Sequence, residues 1–280
     1  MLRLGWFSTG RDEAARRLLS AIMEKRREGL LDISVEFVFS NWEPGEEPTH
    51  RDFADRERFF RLVRSYGIPL VTLSWKRYRS DLRERDIGLW RTEYGRELRR
   101  LLSAYDFDIG VLAGYMLWVD DETCRAFPLI NLHPALPGGP KGTWQEVIWQ
   151  LIREEADEQG AMIHLCTPDW DEGPPLTYCR FSLRTEAFEP LWRQMREKLK
   201  RRELEEIIRE EGEGEPLFRR IRKEGERREL PLLAYTIKLF SEGRVHIREG
   251  NLYEGETPLD RPYDLTSEVD LALERGEFGE

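Results

Sequence analysis

Leu2 to Ser8 is a run of apolar and small residues that stops at Thr9-Gly10, the pattern of a strand entering a turn. Residues 11–27 then place Ala14, Ala15, Leu18, Leu19, Ile22 and Met23 at helical spacing. Ile33 to Phe39 is β-branched and aromatic and predicts a second strand; residues 41–49, rich in Pro, Gly and Glu, predict a loop. A helix over 51–66 ends at Gly67, and Ile68 to Leu73 reads as a short strand. A charged helix over 88–104 follows, then strands at Phe107 to Ala113 and Leu129 to Leu132. Beyond residue 143 the pattern gives a helix to 153 and two strands, Ala161 to Cys166 and Leu176 to Leu183.

Strands alternating with helices imply parallel pairing through right-handed crossovers. Such sheets hold their ligands at the carboxyl ends of the strands. The loops after Ser8, Phe39, Ala113 and Leu132 should therefore share one edge. Residues 187–230 differ in kind: they are dense in Arg, Lys and Glu, with apolar pairs such as Met195/Leu199 and Leu204/Ile208 four apart, as expected of a thinly striped, solvent-facing helix. GEGEP at 212–216 breaks that stretch. A further helix near 230–241, a short strand at Arg244 to Ile247 and a loosely ordered acidic tail complete the reading. The expected fold class is α/β, in three stretches: a main domain over 1–183, a charged helical insertion over 184–230, and a C-terminal helix, hairpin and tail over 231–280.

Composition narrows the function classes. Among 280 residues, 54 acids against 44 bases give a net charge of −10, which repels phosphate backbones and argues against a general nucleic-acid binder. Cys124, Cys166 and Cys179 form no CxxC pair, which fits neither a disulfide scaffold nor a zinc site and suits a reducing cytoplasm. No apolar run approaches the roughly 18–20 residues that span a bilayer, and the short apolar N-terminus lacks the features of a signal peptide. A cytoplasmic, metal-free protein is expected.

Of four histidines, His50 and His246 have no suggestive context. His133 lies in Asn131-Leu132-His133-Pro134 at the end of a strand, so an amide and an imidazole two residues apart share one face of the chain. His164 sits within a strand, and Asp171 follows in an acidic turn. Taken singly, a turn cap, a satisfied core histidine and a turn acid explain all three. Together they are sufficient for acyl transfer. An amide N–H and an imidazolium can stabilise an oxyanion, and a carboxylate can orient the imidazole and help remove a proton from an attacking amine. No GxSxG motif supports a covalent acyl-enzyme, so direct attack of an amine or water on a bound acyl donor fits better.

NLHPALPGGPKG at 131–142, followed by GAMIHLCTPDWDEGPPL at 160–176, resembles the folate-dependent formyltransferase family, most closely the branch that formylates phosphoribosylglycinamide. The family signature, Asn-x-His-Pro, a strand histidine and Asp-x-Gly-Pro, falls on Asn131, His133, His164 and Asp171. FVFSN at 37–41, YGIPLVTL at 66–73, WRTEYGREL at 90–98, DFDIGVLAGYM at 106–116 and LFSEGRVHIREG at 239–250 extend the likeness, the last resembling a closing hairpin. The resemblance implies a Rossmann-like, mostly parallel sheet with flanking helices, and 10-formyltetrahydrofolate as donor. Asn131, His133 and Asp171 would be catalytic, with His164 in support. The donor would lie against Arg91, the Met116-Leu117-Trp118-Val119 loop, and Thr167, Pro168, Asp169 and Trp170. The acceptor would be a small amine, phosphorylated or not, bound near Ser8, Thr9, Gly10 and Arg11; no nucleic acid or membrane is involved, and a homodimer is compatible.

The stretch Ser8 to Glu13 departs from the family, whose glycine-rich loop there meets a substrate phosphate. One glycine remains, and Asp12 and Glu13 stand where a phosphate would approach. An amino-sugar nucleotide as acceptor, water as acceptor, and a non-catalytic folate binder are the alternatives.

Overall fold

The computed structural model describes residues 1–169, 172–248 and 250–279. In chain order the elements are β1 (Leu2–Phe7), α1 (Glu13–Arg27), β2 (Ile33–Ser40), α2 (Phe53–Ser65), β3 (Leu70–Thr72), α3 (Ser80–Arg85), α4 (Ile87–Leu102), β4 (Ile109–Leu112), α5 (Asp121–Ala126) and β5 (Leu129–His133). They continue as α6 (Trp144–Arg153), β6 (Glu158–Leu165), β7 (Pro175–Ser182), α7 (Glu189–Leu199), α8 (Leu204–Glu211), α9 (Pro216–Ser241), β8 (Val245–Arg248), β9 (Asn251–Glu254), β10 (Thr257–Pro258), β11 (Tyr263–Asp264) and α10 (Thr266–Glu274).

The chain divides into two compact units. The first comprises Met1–Asn131, Leu165–Pro174 and Ile237–Pro258. Its sheet has the order β5-β4-β1-β2-β3 with every neighbouring pair parallel. The last four residues of β1 and all four of β4 are buried in succession, as expected where helices cover both faces of a parallel sheet. The strand order reverses at β1, and its C-terminal edge is a topological switch point. Phe7, Phe37, Phe39, Leu98, Leu102 and Leu112 pack together in this unit's core. Asp12 caps α1 by accepting from the Ala15 N–H, and Lys25, Arg26 and Arg27 close its last turn, complementing the helix dipole. The hairpin expected near the C-terminus is a three-stranded antiparallel sheet, β10-β9-β8.

The second unit comprises Leu132–His164, Pro175–Thr236 and Leu259–Glu280. Its strands follow the order β11-β7-β6, with β6 and β7 antiparallel and β7 and β11 parallel. The stretch 187–230, expected to face solvent, instead builds this unit's core. Trp192, Met195, Leu204, Ile207, Leu217, Phe218 and Ile221 are buried against Ile148, Trp149 and Ile152 of α6. Charge density hid this because the apolar side chains are few but large, and the Arg and Glu between them pair on the outer faces. GEGEP does break the helix. Gly212 has φ +49°, and Glu215 starts α9 by accepting from the Phe218 N–H at 2.8 Å. The separate helix expected near 230 is the continuation of α9, which runs through Pro231. The tail is ordered too: β11 and α10 lie in it, with Leu265, Val269 and Ala272 buried. Among the described residues, no helix is long and apolar enough to cross a membrane.

Candidate active site

At the switch point of the first unit, Ser8, Thr9 and Gly10 are buried. The Ser8 N–H donates to the Phe39 carbonyl at 3.0 Å and the Thr9 N–H to the Gly114 carbonyl at 3.1 Å. The Gly10 N–H donates to Ser8 Oγ at 3.2 Å, and Thr9 Oγ1 accepts from the Met116 N–H at 2.9 Å. The loops after β1 and β4 thus meet beside the C-terminal end of β2, and the three amides are engaged within the protein. Arg11 is half-buried, its Nε 3.5 Å from the Asp12 carboxylate. Gly10 has φ +66°, and a Cβ there would fall 2.6 Å from the Phe59 ring. Gly10→Ala is therefore expected to destabilise the fold by about 1–3 kcal/mol, read as a lowered urea midpoint; an unchanged midpoint would contradict this packing.

A cavity of about 250 Å³ opens beside this edge. Trp90, Arg91 and Tyr94 of α4 form one wall, and Met116, Leu117, Trp118 and Val119 the other. The Arg91 guanidinium lies 4.9 Å from the Trp118 ring centroid, a cation–π contact. The Trp118 indole N–H donates to the Pro168 carbonyl at 3.0 Å, and Thr167 Oγ1 donates to the Asp169 carbonyl at 3.0 Å. Of the residues expected around the donor, Arg91 and Met116 to Val119 therefore line one cavity, and Thr167 to Asp169 adjoin it through Trp118. Trp170 lies outside the described residues. Behind this loop the Cys124 and Cys166 sulfurs are 3.8 Å apart. Their hydrogen bond, reinforced by burial, holds the Cys124 thiol well above its usual range. It is no ready nucleophile at neutral pH.

Several supports of this cavity carried no sequence motif. Asp120, in the cavity wall, is buried and accepts from Arg99 Nη1 at 2.7 Å and from the Thr123 hydroxyl. It approaches α4 so closely that a Cβ on Gly95 would lie 1.8 Å from Asp120 Oδ1. Tyr94 donates its hydroxyl to the Leu73 carbonyl at 2.6 Å, and burial pushes its pKa well up, so it remains a neutral donor. Asn131 is half-buried at the end of β5; Leu112 of β4 pairs with it.

In the second unit, His133 ends β5 with 2% of its surface exposed. Its Nε2 donates to the Pro140 carbonyl at 3.0 Å, which requires the proton on that nitrogen. His164 on β6 is equally buried, its ring centroid 6.2 Å from that of His133 with the planes at 82°. The Gln159 amide, also buried, donates to the Pro134 carbonyl at 2.9 Å and holds the Pro-Gly loop that follows His133. Nothing in its sequence context marked Gln159. Asp171 lies outside the described residues.

The first unit's cavity, aromatic and apolar with a guanidinium on its rim, suits a flat ring system with an anionic end. Among the described residues, no group of three or more His, Cys, Asp or Glu is arranged to hold a metal ion.

A family model described as formyl transferase matches residues 18–201. Phosphoribosylglycinamide formyltransferase of Saccharomyces cerevisiae is 30% identical over 93 residues, 31% of this chain and 44% of that protein. The chain thus spans less than half the length of that curated relative. The protein of the same name from Dictyostelium discoideum is 26% identical over 167 residues, 55% of this chain and 73% of its own length. Among solved structures, phosphoribosylglycinamide formyltransferase from Coxiella burnetii shares the fold, with a TM-score of 0.63 and 19% identity over 94% of this chain and 98% of its own.

Proposed function

Since the chain belongs to the formyl transferase family, we propose that it transfers the formyl group of 10-formyltetrahydrofolate to an amine, with phosphoribosylglycinamide the acceptor to which its relatives' names point. The observation that carries this reading is the family match across the segments that hold Arg91, Met116 to Val119, Asn131, His133 and His164.

The amine nitrogen attacks the formyl carbon, and the carbonyl electrons move onto oxygen to give a tetrahedral oxyanion. The Asn131 side-chain N–H and a protonated His133 are the donors for that oxyanion. The attacking nitrogen gives up a proton, for which Asp171 is the candidate acceptor. Collapse then breaks the bond to N10 of the folate, and that nitrogen takes a proton as tetrahydrofolate leaves. His164, edge-on to His133, restricts the imidazole's rotation. The pterin and aminobenzoyl rings would occupy the aromatic cavity, with Arg91 near the anionic end. Because the Ser8, Thr9 and Gly10 amides are engaged internally, Arg11 is the group in that stretch able to meet a phosphate on the acceptor.

The test follows tetrahydrofolate release by absorbance, with glycinamide ribonucleotide, with other amines and without amine. Release that depends on an amine is expected. Release without any amine would make the chain a hydrolase, and tight folate binding with no release would make it a binding protein.

A further inference from the structure

Cys124 of α5 and Cys166, directly after β6, bring two thiols together from positions 42 residues apart in the chain. Their sulfurs are in contact at 3.8 Å. A disulfide bond is about 2.05 Å long, so closing one asks each sulfur for about 0.9 Å of travel, within reach of side-chain rotation. Both backbones are already held: the Cys124 N–H donates to the Asp120 carbonyl at 3.0 Å, and the Cys166 N–H to the Leu129 carbonyl at 2.7 Å. Both side chains are half-buried, which leaves them open to a small oxidant. Cys179 on β7 is buried, and burial pushes its thiol up to about 12, so the chain carries its own unreactive control.

We propose that Cys124 and Cys166 are a reversible modification site, closing to an intramolecular disulfide in the presence of a disulfide oxidant such as oxidised glutathione. The hydrogen bond to Cys166 holds the proton on Cys124, so Cys166 reacts first. Its thiolate attacks one sulfur of oxidised glutathione, forming a mixed disulfide and releasing one glutathione thiolate. With the Cys166 sulfur no longer charged, Cys124 loses its proton, attacks that sulfur and expels the second glutathione. Two protein thiols are oxidised, one glutathione disulfide is reduced to two thiols, and the two protons lost by the protein go to them.

The bond ties α5 to the segment that continues through Thr167, Pro168 and Asp169. That segment reaches the cavity wall, since the Pro168 carbonyl accepts from the Trp118 indole N–H at 3.0 Å. Drawing Cys166 towards α5 shifts this support, and misplacement of about 1 Å near reacting groups is costly in rate. The thiol chemistry itself is independent of the reaction proposed above.

The test incubates the full chain with oxidised glutathione, removes the excess and maps the peptides by mass spectrometry. The expected product has lost two hydrogens, joins the Cys124 and Cys166 peptides, keeps Cys179 as a thiol and reverts with dithiothreitol. Cys124→Ser should instead retain one glutathione on Cys166, because the second attack is missing. A wild-type chain that keeps glutathione on Cys166, or whose disulfide involves Cys179 or a second chain, would overturn the proposal. In the oxidised chain amine-dependent tetrahydrofolate release should fall about tenfold and recover on reduction; full turnover by the oxidised chain would overturn the link to the cavity wall. Absence of turnover in the reduced chain would count against the formyl-transfer reading alone, since the peptide map decides the disulfide.

Discussion

Replacing His133 with alanine is expected to lower kcat for formyl transfer by about 10²–10³, the usual cost of losing one oxyanion donor. The ring is buried, and its Nε2–H is held by the Pro140 carbonyl at 3.0 Å, which leaves Nδ1 as the nitrogen to face the oxyanion. His133 is therefore positioned before any substrate arrives, which is what makes such a donor effective. Folate affinity should change little, because the cavity is lined by α3, α4 and the loop after β4 and contains no atom of His133. Steady-state kinetics with folic acid titration as a control separates the two effects. Normal turnover by His133→Ala would remove the imidazole from the mechanism, and a parallel loss of folate binding would show a structural role.

The second large effect is expected at Gly95. Alanine within a helix normally gains about 1 kcal/mol over glycine, so Gly95→Ala would be stabilising on propensity alone. Here the new Cβ would sit 1.8 Å from Asp120 Oδ1 and 2.3 Å from its Cγ. The carboxylate must move, and it is buried and paired to Arg99 at 2.7 Å. Disrupting such a pair costs about 3–5 kcal/mol, which outweighs the propensity gain. Gly95→Ala should therefore lower the urea midpoint. It should also weaken folic acid binding, since Asp120 follows directly on the Met116 to Val119 wall. A variant as stable as the wild type would mean that Asp120 does not lie against α4.

Much of the first unit was legible because buried parallel strands leave a plain signal. Runs such as Trp6-Phe7 and Ile109 to Leu112 are apolar without alternation, and the turn residues Thr9-Gly10 and Gly114 punctuate them. Of the loops that the strand pattern placed at one edge, those after β1 and β4 meet, through Thr9, Gly114 and Met116. Arg91 and Met116 to Val119, implied by family likeness, line a single cavity. The second unit was less legible. Its core draws one or two large side chains from each of several charged helices, such as Trp192, Ile207 and Phe218, so no single window carries a strong stripe. α3 and α5 were missed because six-residue helices are too short for a period to register. Gln159 and Gly95 act through a partner distant in sequence or through close approach, and neither leaves a local pattern.

The central claim, that a formyl carbon passes from folate to an amine on this chain, is tested most directly by isotope. 10-Formyltetrahydrofolate labelled with ¹³C in its formyl group is incubated with glycinamide ribonucleotide and the wild-type chain, and the acceptor is examined by mass spectrometry. The label is expected on the acceptor's amine, in step with the tetrahydrofolate released. Label recovered only as formate, or left on the folate, would contradict the account.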